Sequence, residues 1–345
     1  MAHPEHRKSG ATRRRIVGVP APTILRADPA IVVLVTPQAP QRDVPGAGSP
    51  LTRAVLTGPL RQGLVLASFP TALYLLVGEH HEVLPVLASD ALMLPTATRL
   101  SAAGRDVVWG VEPGDTVTVG RSAILLPGCR VRVVREWRPA RVHAVDPLAE
   151  PGPLSQLADM LSRHASTPEL VDQAAAVSRA ARLGEDAAVR RGVRELVGAG
   201  QGLTPSGDDV LCAVLLVLCG VGDPAPIALL GAAVQGRWTA TTSLSASLLD
   251  AARRGYAVPE VASLVECALR GDVAGAREAL ATTLEIGHSS GADLVAGLAG
   301  SLRVLANARP DTPPVPFQAV NGLETVPERC SDRSRTLQTA ERGSS

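Results

Sequence analysis

The chain has 345 residues, 46% of them hydrophobic and 19% charged, with a formal net charge of +1, a balance expected of a soluble globular protein long enough for two domains. Near-neutral charge excludes the electrostatic footprint of a DNA-binding or anionic-membrane protein, and 2% aromatic residues exclude base-stacking recognition of single strands. The single lysine is Lys8, so the folded part lacks both the lysine of a Walker phosphate loop and that of a Schiff-base enzyme.

Residues 1–50 read as a poorly ordered extension holding at most one strand, Ile31–Thr36. Arg13, Arg14 and Arg15 suggest an export signal, but Pro20, Pro22, Arg26 and Asp28 break the apolar run it would need, and the expected compartment is the cytoplasm. Residues 51–145 carry short apolar runs at 64–67, 72–77, 91–94, 115–120, 122–126 and 130–134, divided by Gly, Pro and Asp. Two of them, Thr116-Val-Thr-Val and Arg130-Val-Arg-Val, alternate with the period of a half-buried strand. The expectation is an antiparallel barrel or sandwich, with Trp109 in its core, Trp137 as a packing anchor, and His80 and His81 solvated in a loop. Adjacent histidines on extended backbone diverge.

After Pro147, Pro151 and Pro153 the apolar period changes to that of helices. Leu154/Leu157/Ala158/Leu161, Val189/Val193/Leu196/Val197 and Val261/Leu264/Val265/Ala268/Leu269 each form one face. Residues 146–308 therefore read as an all-helical domain around one central helix, Val210–Cys219, which is apolar all round. The fold class expected is α+β. Residues 309–345, rich in Pro, Ser, Thr, Arg and Glu, read as a disordered tail. The longest apolar run is far shorter than the ~20 residues of a membrane span. Five scattered cysteines, with no Cys-x-x-Cys pair, read as small buried hydrophobes and not as a disulfide or zinc framework.

The densest chemistry lies at the start of the central helix, in Gly198-Ala-Gly-Gln-Gly-Leu-Thr-Pro-Ser-Gly-Asp-Asp209. Thr204 and Ser206 suit a helix cap, Pro205 a first turn, and Asp208 and Asp209 the positive end of the helix dipole. Gly200, Gly202 and Gly207 permit close backbone approach, so the loop is expected to offer unpaired N–H groups to an anion. A second copy follows in Gly287-His-Ser-Ser-Gly-Ala-Asp293: Ser206-Gly207-Asp208-Asp209 aligns with Ser290-Gly291-Ala292-Asp293. Ordinary helix capping accounts for either copy alone, whereas the duplication suggests two helix starts facing one site. Between them Thr241, Thr242 and Ser243 are candidate hydroxyl donors and Arg237 the nearest candidate cation, with Ser289 beside the second start. His288 is the candidate general acid or base, with Asp208 or Asp293 as its orienting partner. The same carboxylates, Asp208, Asp209 and Asp293, with His288, could instead hold Mg²⁺ or Mn²⁺.

Gly-Gln-Gly-Leu-Thr-Pro-Ser-Gly-Asp-Asp, Thr241-Thr-Ser-Leu-Ser245 and Gly287-His-Ser-Ser-Gly-Ala-Asp293 together resemble the AllH-like family, over roughly residues 50 to 310. That family is typified by a subunit of the bacterial oxamate carbamoyltransferase of allantoin breakdown. The resemblance implies carbamoyl transfer between phosphate and oxamate, with oxalurate and carbamoyl phosphate as the carbamoyl compounds, and a set of partner subunits. The residues themselves point to a small anionic metabolite. A non-catalytic scaffold subunit is the alternative that leaves the loops as a binding surface for partner chains.

Overall fold

The computed structural model describes residues 42–146 and 148–308, so Ile31–Thr36 and the expected tail at 309–345 lie outside the described residues. Eight strands close into a barrel: β1 (Asp43–Gly48), β2 (Arg61–Ser68), β3 (Ala72–Leu76), β4 (Val83–Leu87), β5 (Thr98–Leu100), β6 (Thr116–Gly120), β7 (Ala123–Leu125) and β8 (Arg130–Glu136). Around the barrel they run β1-β5-β4-β3-β2-β6-β7-β8. Most pairs are antiparallel, but β1–β8 and β4–β5 are parallel, a departure from the all-antiparallel expectation. A short helix, α1 (Arg53–Thr57), lies between β1 and β2.

Alternation builds the barrel. Leu73, Leu75, Leu84, Val86, Val117, Val119, Ile124 and Val131 fill its interior, while Arg130 and Arg132 flank Val131 on the outside. Along β3 and β4 the outer face is covered too, for Ala72, Tyr74 and Leu87 pack into the helical core. Every residue of Val83–Leu87 is consequently buried. Trp109 is buried, its indole N–H donating to the Phe69 carbonyl (2.8 Å), and the Trp137 indole N–H donates to the Ala97 carbonyl (2.9 Å).

Three strands differ from expectation. The segment Asp43–Gly48, expected within the extension, pairs with both β5 and β8. Val83–Leu87 and Thr98–Leu100 are strands, whereas Ala91–Leu94 is a succession of turns closed by Ala91 N–H to Ala88 C=O (3.2 Å) and Leu94 N–H to Leu92 C=O (3.0 Å).

Nine helices follow among the described residues: α2 (Pro151–Ser162), α3 (Pro168–Arg182), α4 (Asp186–Leu196), α5 (Ser206–Val221), α6 (Pro224–Gln235), α7 (Ser243–Ala252), α8 (Pro259–Arg270), α9 (Val273–Leu284) and α10 (Ser290–Ala306). Proline begins α2, α3, α6 and α8, where its missing N–H is no loss and its φ is already helical. The three apolar faces read from the sequence are all buried. The centre is shared, however. α5 is buried along nearly its whole length, and so is α10. Glycines let α10 approach its neighbours, for a Cβ at Gly297 would lie 2.4 Å from the Val210 carbonyl oxygen of α5 and one at Gly300 2.3 Å from the Val171 carbonyl oxygen of α3. The two Ser-Gly-x-Asp segments are thus the first turns of the two most buried helices.

No helix among the described residues is long and apolar enough to cross a membrane. The barrel and the helices belong to one compact unit.

Candidate functional site

Gly198, Gly200 and Gly202 all have positive φ (75°, 122° and 91°), a left-handed path that a side chain would strain. The loop they form leads into α5, whose N-cap position is held by Pro205 with no side-chain cap. The residues expected to cap it do other work. Thr204 Oγ1 hydrogen-bonds Ser290 Oγ at 2.9 Å, across to the first residue of α10, so the two motif copies meet. Thr242 caps α7, accepting from Ser245 N–H (3.1 Å), and donates to the Leu203 carbonyl (2.5 Å).

The amides are less available than the glycine pattern suggested. Gly207 N–H donates to the Ala199 carbonyl (2.9 Å), Asp208 and Asp209 N–H to the Pro205 carbonyl (2.9 and 3.3 Å), and Gly291 N–H to the Ile286 carbonyl (3.0 Å). What the site presents instead is carboxyl groups. Asp208, Asp209 and Asp293 are 1%, 5% and 1% exposed. Asp208 accepts from Gly198 N–H (3.0 Å) and from the Thr241 hydroxyl, tying the glycine loop and the α7 entry to α5. Asp293 accepts from the Ser166 hydroxyl in the α2–α3 connection. Among the described residues, one oxygen of Asp293 and one of Asp209, its Oδ2, have no hydrogen-bond partner.

These surroundings set protonation. Among the described residues no arginine pairs with any of the three carboxyls. Burial holds Asp209 well above the usual carboxylate range; the negative charges of Asp293 and Asp208 push in the same direction, against the Ser290 and Thr204 hydroxyls. Burial also raises Asp208, opposed by the Thr241 hydroxyl and Gly198 N–H. One turn on, burial raises the Cys212 thiol well above its ordinary value, and Asp209 and Asp208 add to that; it is an inert thiol.

Asp209, Thr204, Ser290 and Cys212 line one end of a cavity of about 290 Å³ between the barrel and α5, α7, α8 and α10. The rest of its wall is largely apolar: Phe69 and Tyr74 from the barrel, Leu248 from α7, Tyr256 and Ile286 from connections. Burial raises the Tyr74 phenol as well.

The structure therefore gathers Thr204, Asp208, Asp209, Thr241, Ser290, Gly291 and Asp293. It leaves Gly200, Gly202, Arg237, His288 and Ser289 exposed and Ser206 half-buried at the rim. Arg253 and Arg254 both pair with Asp250 (2.7 and 2.5 Å). No group of three or more His, Cys, Asp or Glu among the described residues is placed to hold a metal ion. Asp208 turns to Gly198 and Thr241, and Asp293 to Ser166.

His80, expected to be solvated, is half-buried. Its Nε2 lies 3.0 Å from the Thr241 carbonyl oxygen and its Nδ1 3.2 Å from Ser243 Oγ. A carbonyl can only accept, so Nε2 carries a proton. His81 stacks on Trp238, with ring centroids 4.0 Å apart. The pair thus fastens the barrel to the α7 entry that holds Asp208. Nothing in a His-His dipeptide signals this, nor does anything local mark Ser166.

Residues 196–302 match a family model described as oxamate carbamoyltransferase subunit AllH. The match begins at the last residue of α4 and runs into α10, taking in both Ser-Gly-x-Asp copies and the Thr241–Ser245 segment between them; the barrel lies outside it. Neither the curated proteins nor the solved structures contain a match to the chain.

Proposed function

We propose that the chain is a subunit of a carbamoyl-transfer enzyme and that it binds a small carbamoyl- or carboxyl-bearing acid where the two Ser-Gly-x-Asp helix starts meet. The observation that carries this reading is the 2.9 Å Thr204–Ser290 hydrogen bond, which joins both starts beside Asp209 at the end of the cavity. The family match covers this same stretch.

Burial, with the charges of Asp293 and Asp208, favours the protonated form of Asp209, which serves as an acid. It donates its proton to a ligand oxygen, as a carboxylic acid kept neutral by its surroundings can do at pH 7. The Thr204 and Ser290 hydroxyls supply further donors, and an oxygen of the acyl or carbamoyl group that gains negative charge during transfer is stabilised by them. His288, next to cavity-lining Gly287, stands at the rim as the proton carrier.

A doubly charged phosphate is served less well here, because the three carboxyls have no arginine among the described residues to offset them. In this reading the phosphate end of carbamoyl phosphate is held by partner subunits, and the chain contributes the oxamate half of the site.

Calorimetric titration of the isolated chain with oxamate, carbamoyl phosphate and phosphate tests the assignment. Oxamate is expected to bind and phosphate alone not to, with Ser290→Ala weakening oxamate about tenfold, the loss of one hydrogen bond. Should neither oxamate nor carbamoyl phosphate bind, alone or with partner subunits added, the helix starts are packing devices and the chain is a scaffold.

A further inference from the structure

The cavity is far more apolar than oxamate requires. Oxamate has no hydrocarbon body, yet the wall beyond Asp209 is built from Phe69, Tyr74, Leu248, Tyr256 and Ile286. An apolar wall of this kind is the usual lining of a pocket that holds an apolar ligand, with a few polar groups fixing its orientation. Here Asp209, Thr204 and Ser290 supply such groups. Asp209 is 5% exposed and lines the cavity. Among the described residues its buried Oδ2 has no hydrogen-bond partner, and a ligand that engages the carboxyl group offsets the cost of leaving it unpaired.

We infer that the cavity accepts a primary carboxamide or carbamoyl group carried on an apolar body, the –CO–NH₂ head paired to Asp209 and the hydrocarbon lodged against Tyr74 and Leu248. The inference rests on the reading of the Asp209 junction as the ligand site and narrows its ligand class. Matching of donors and acceptors selects the head. At this end of the cavity Asp209 offers an acceptor oxygen and the Thr204 and Ser290 hydroxyls offer donors. A primary amide offers the reciprocal pair, an N–H for the carboxyl oxygen and a carbonyl for the hydroxyls. A carboxylate head would bring a fourth acidic group to a place where Asp208, Asp209 and Asp293 already have no cation among the described residues. An ammonium head would bring three donors to one free oxygen. Neither Asp208 nor Asp293 lines the cavity.

The test is a homologous series titrated into the full chain: acetamide, propanamide, butanamide and hexanamide, with hexanoate, hexylamine and oxamate in parallel. Affinity is expected to rise about fourfold for each added methylene, the gain of burying a CH₂ group, with hexanoate and hexylamine each at least tenfold weaker than hexanamide. Leu248→Trp, which fills the apolar end from a half-buried position, is expected to abolish the length dependence, so that hexanamide binds no more tightly than propanamide; its thermal unfolding shows that it folds. Equal affinity along the amide series, or hexylamine binding more tightly than hexanamide, overturns the inference. If oxamate binds and hexanamide does not, the ligand class is wrong and the functional reading stands. If hexanamide binds and oxamate does not, the cavity assignment stands and the oxamate assignment falls.

Discussion

Asp209→Asn is expected to raise the unfolding temperature of the unliganded chain at neutral pH and to change it little near pH 4. Asp209 is buried beside two other carboxyls, with no cation paired to them among the described residues, and burial holds its pKa well above the ordinary carboxylate range. In the unfolded chain the group ionises normally. Folding at pH 7 must therefore either hold a proton the unfolded state has released or bury a charge, and both are unfavourable. The sign follows from the proton count: between the two titrations the folded state binds more protons than the unfolded, so stability falls as pH rises. It is highest below the unfolded carboxylate pKa and is lost as pH climbs toward the folded one. Asparagine is neutral throughout and nearly the same shape. A gain on the order of 2 kcal/mol at pH 7 to 8 is expected, or about 4–8 °C for a domain of this size. Thermal unfolding of both proteins from pH 4 to 8 measures it. A stability loss in Asp209→Asn at pH 7 would mean that the carboxylate is ionised and compensated, which contradicts a neutral acid at the cavity end.

That strained carboxyl sits at the limit of what the sequence makes legible. Helix starts at Ser206 and Ser290 can be read from Pro205, the glycines and the change to apolar residues, and the amphipathic faces of α2, α4 and α8 from their spacing. Strands β2, β3, β6, β7 and β8 can be read from alternation and turn residues. The strands that cannot be read have tertiary causes. β1 is Asp-Val-Pro-Gly-Ala-Gly, poor in strand formers, and is a strand because β5 and β8 flank it. β4 shows no alternation because Leu84 and Val86 fill the barrel while Leu87 enters the helical core, and Pro85 masks it further. Ala91–Leu94 has strand-like residues but serves as cavity wall through Leu92 and Leu94.

At the site the residue types were readable and their directions were not. Asp208 and Asp209 are adjacent and both suit a dipole, yet one turns to Gly198 and Thr241 and the other to the cavity. The partners that decide this, Thr241, Ser290 and Ser166, come from other elements. A local pattern carries no information about them.

The duplicated glycine has a physical meaning that capping does not supply, and it yields the second large effect. Neither Gly207 nor Gly291 has positive φ, so neither is needed for backbone freedom. A Cβ on Gly207 would stand 2.0 Å from the Leu196 carbonyl oxygen and 2.8 Å from its carbon; on Gly291, 2.2 Å from the Thr283 carbonyl oxygen and 2.9 Å from Leu284 Cα. In both copies the obstacle is backbone in the last turn of the preceding helix, α4 or α9, which cannot swing aside as a side chain would. Each Ser-Gly-x-Asp start therefore rests on a helix end, and this holds Asp209 and Asp293 in position. Gly207→Ala and Gly291→Ala are each expected to destabilise by about 3 kcal/mol or more, the upper range for overpacking, against the ~1 kcal/mol that alanine would add to an unobstructed helix. Binding at the Asp209 junction should fall with stability, since α5 must shift to admit the methyl group. Gly152→Ala is the control: it lies in α2, and a Cβ there meets nothing within 4 Å, so it should be neutral or mildly stabilising. Chemical denaturation of the three variants decides the matter. Wild-type stability in Gly207→Ala would show that the helix end can yield, and the repeated glycine would then have to be explained by the ligand and not by packing.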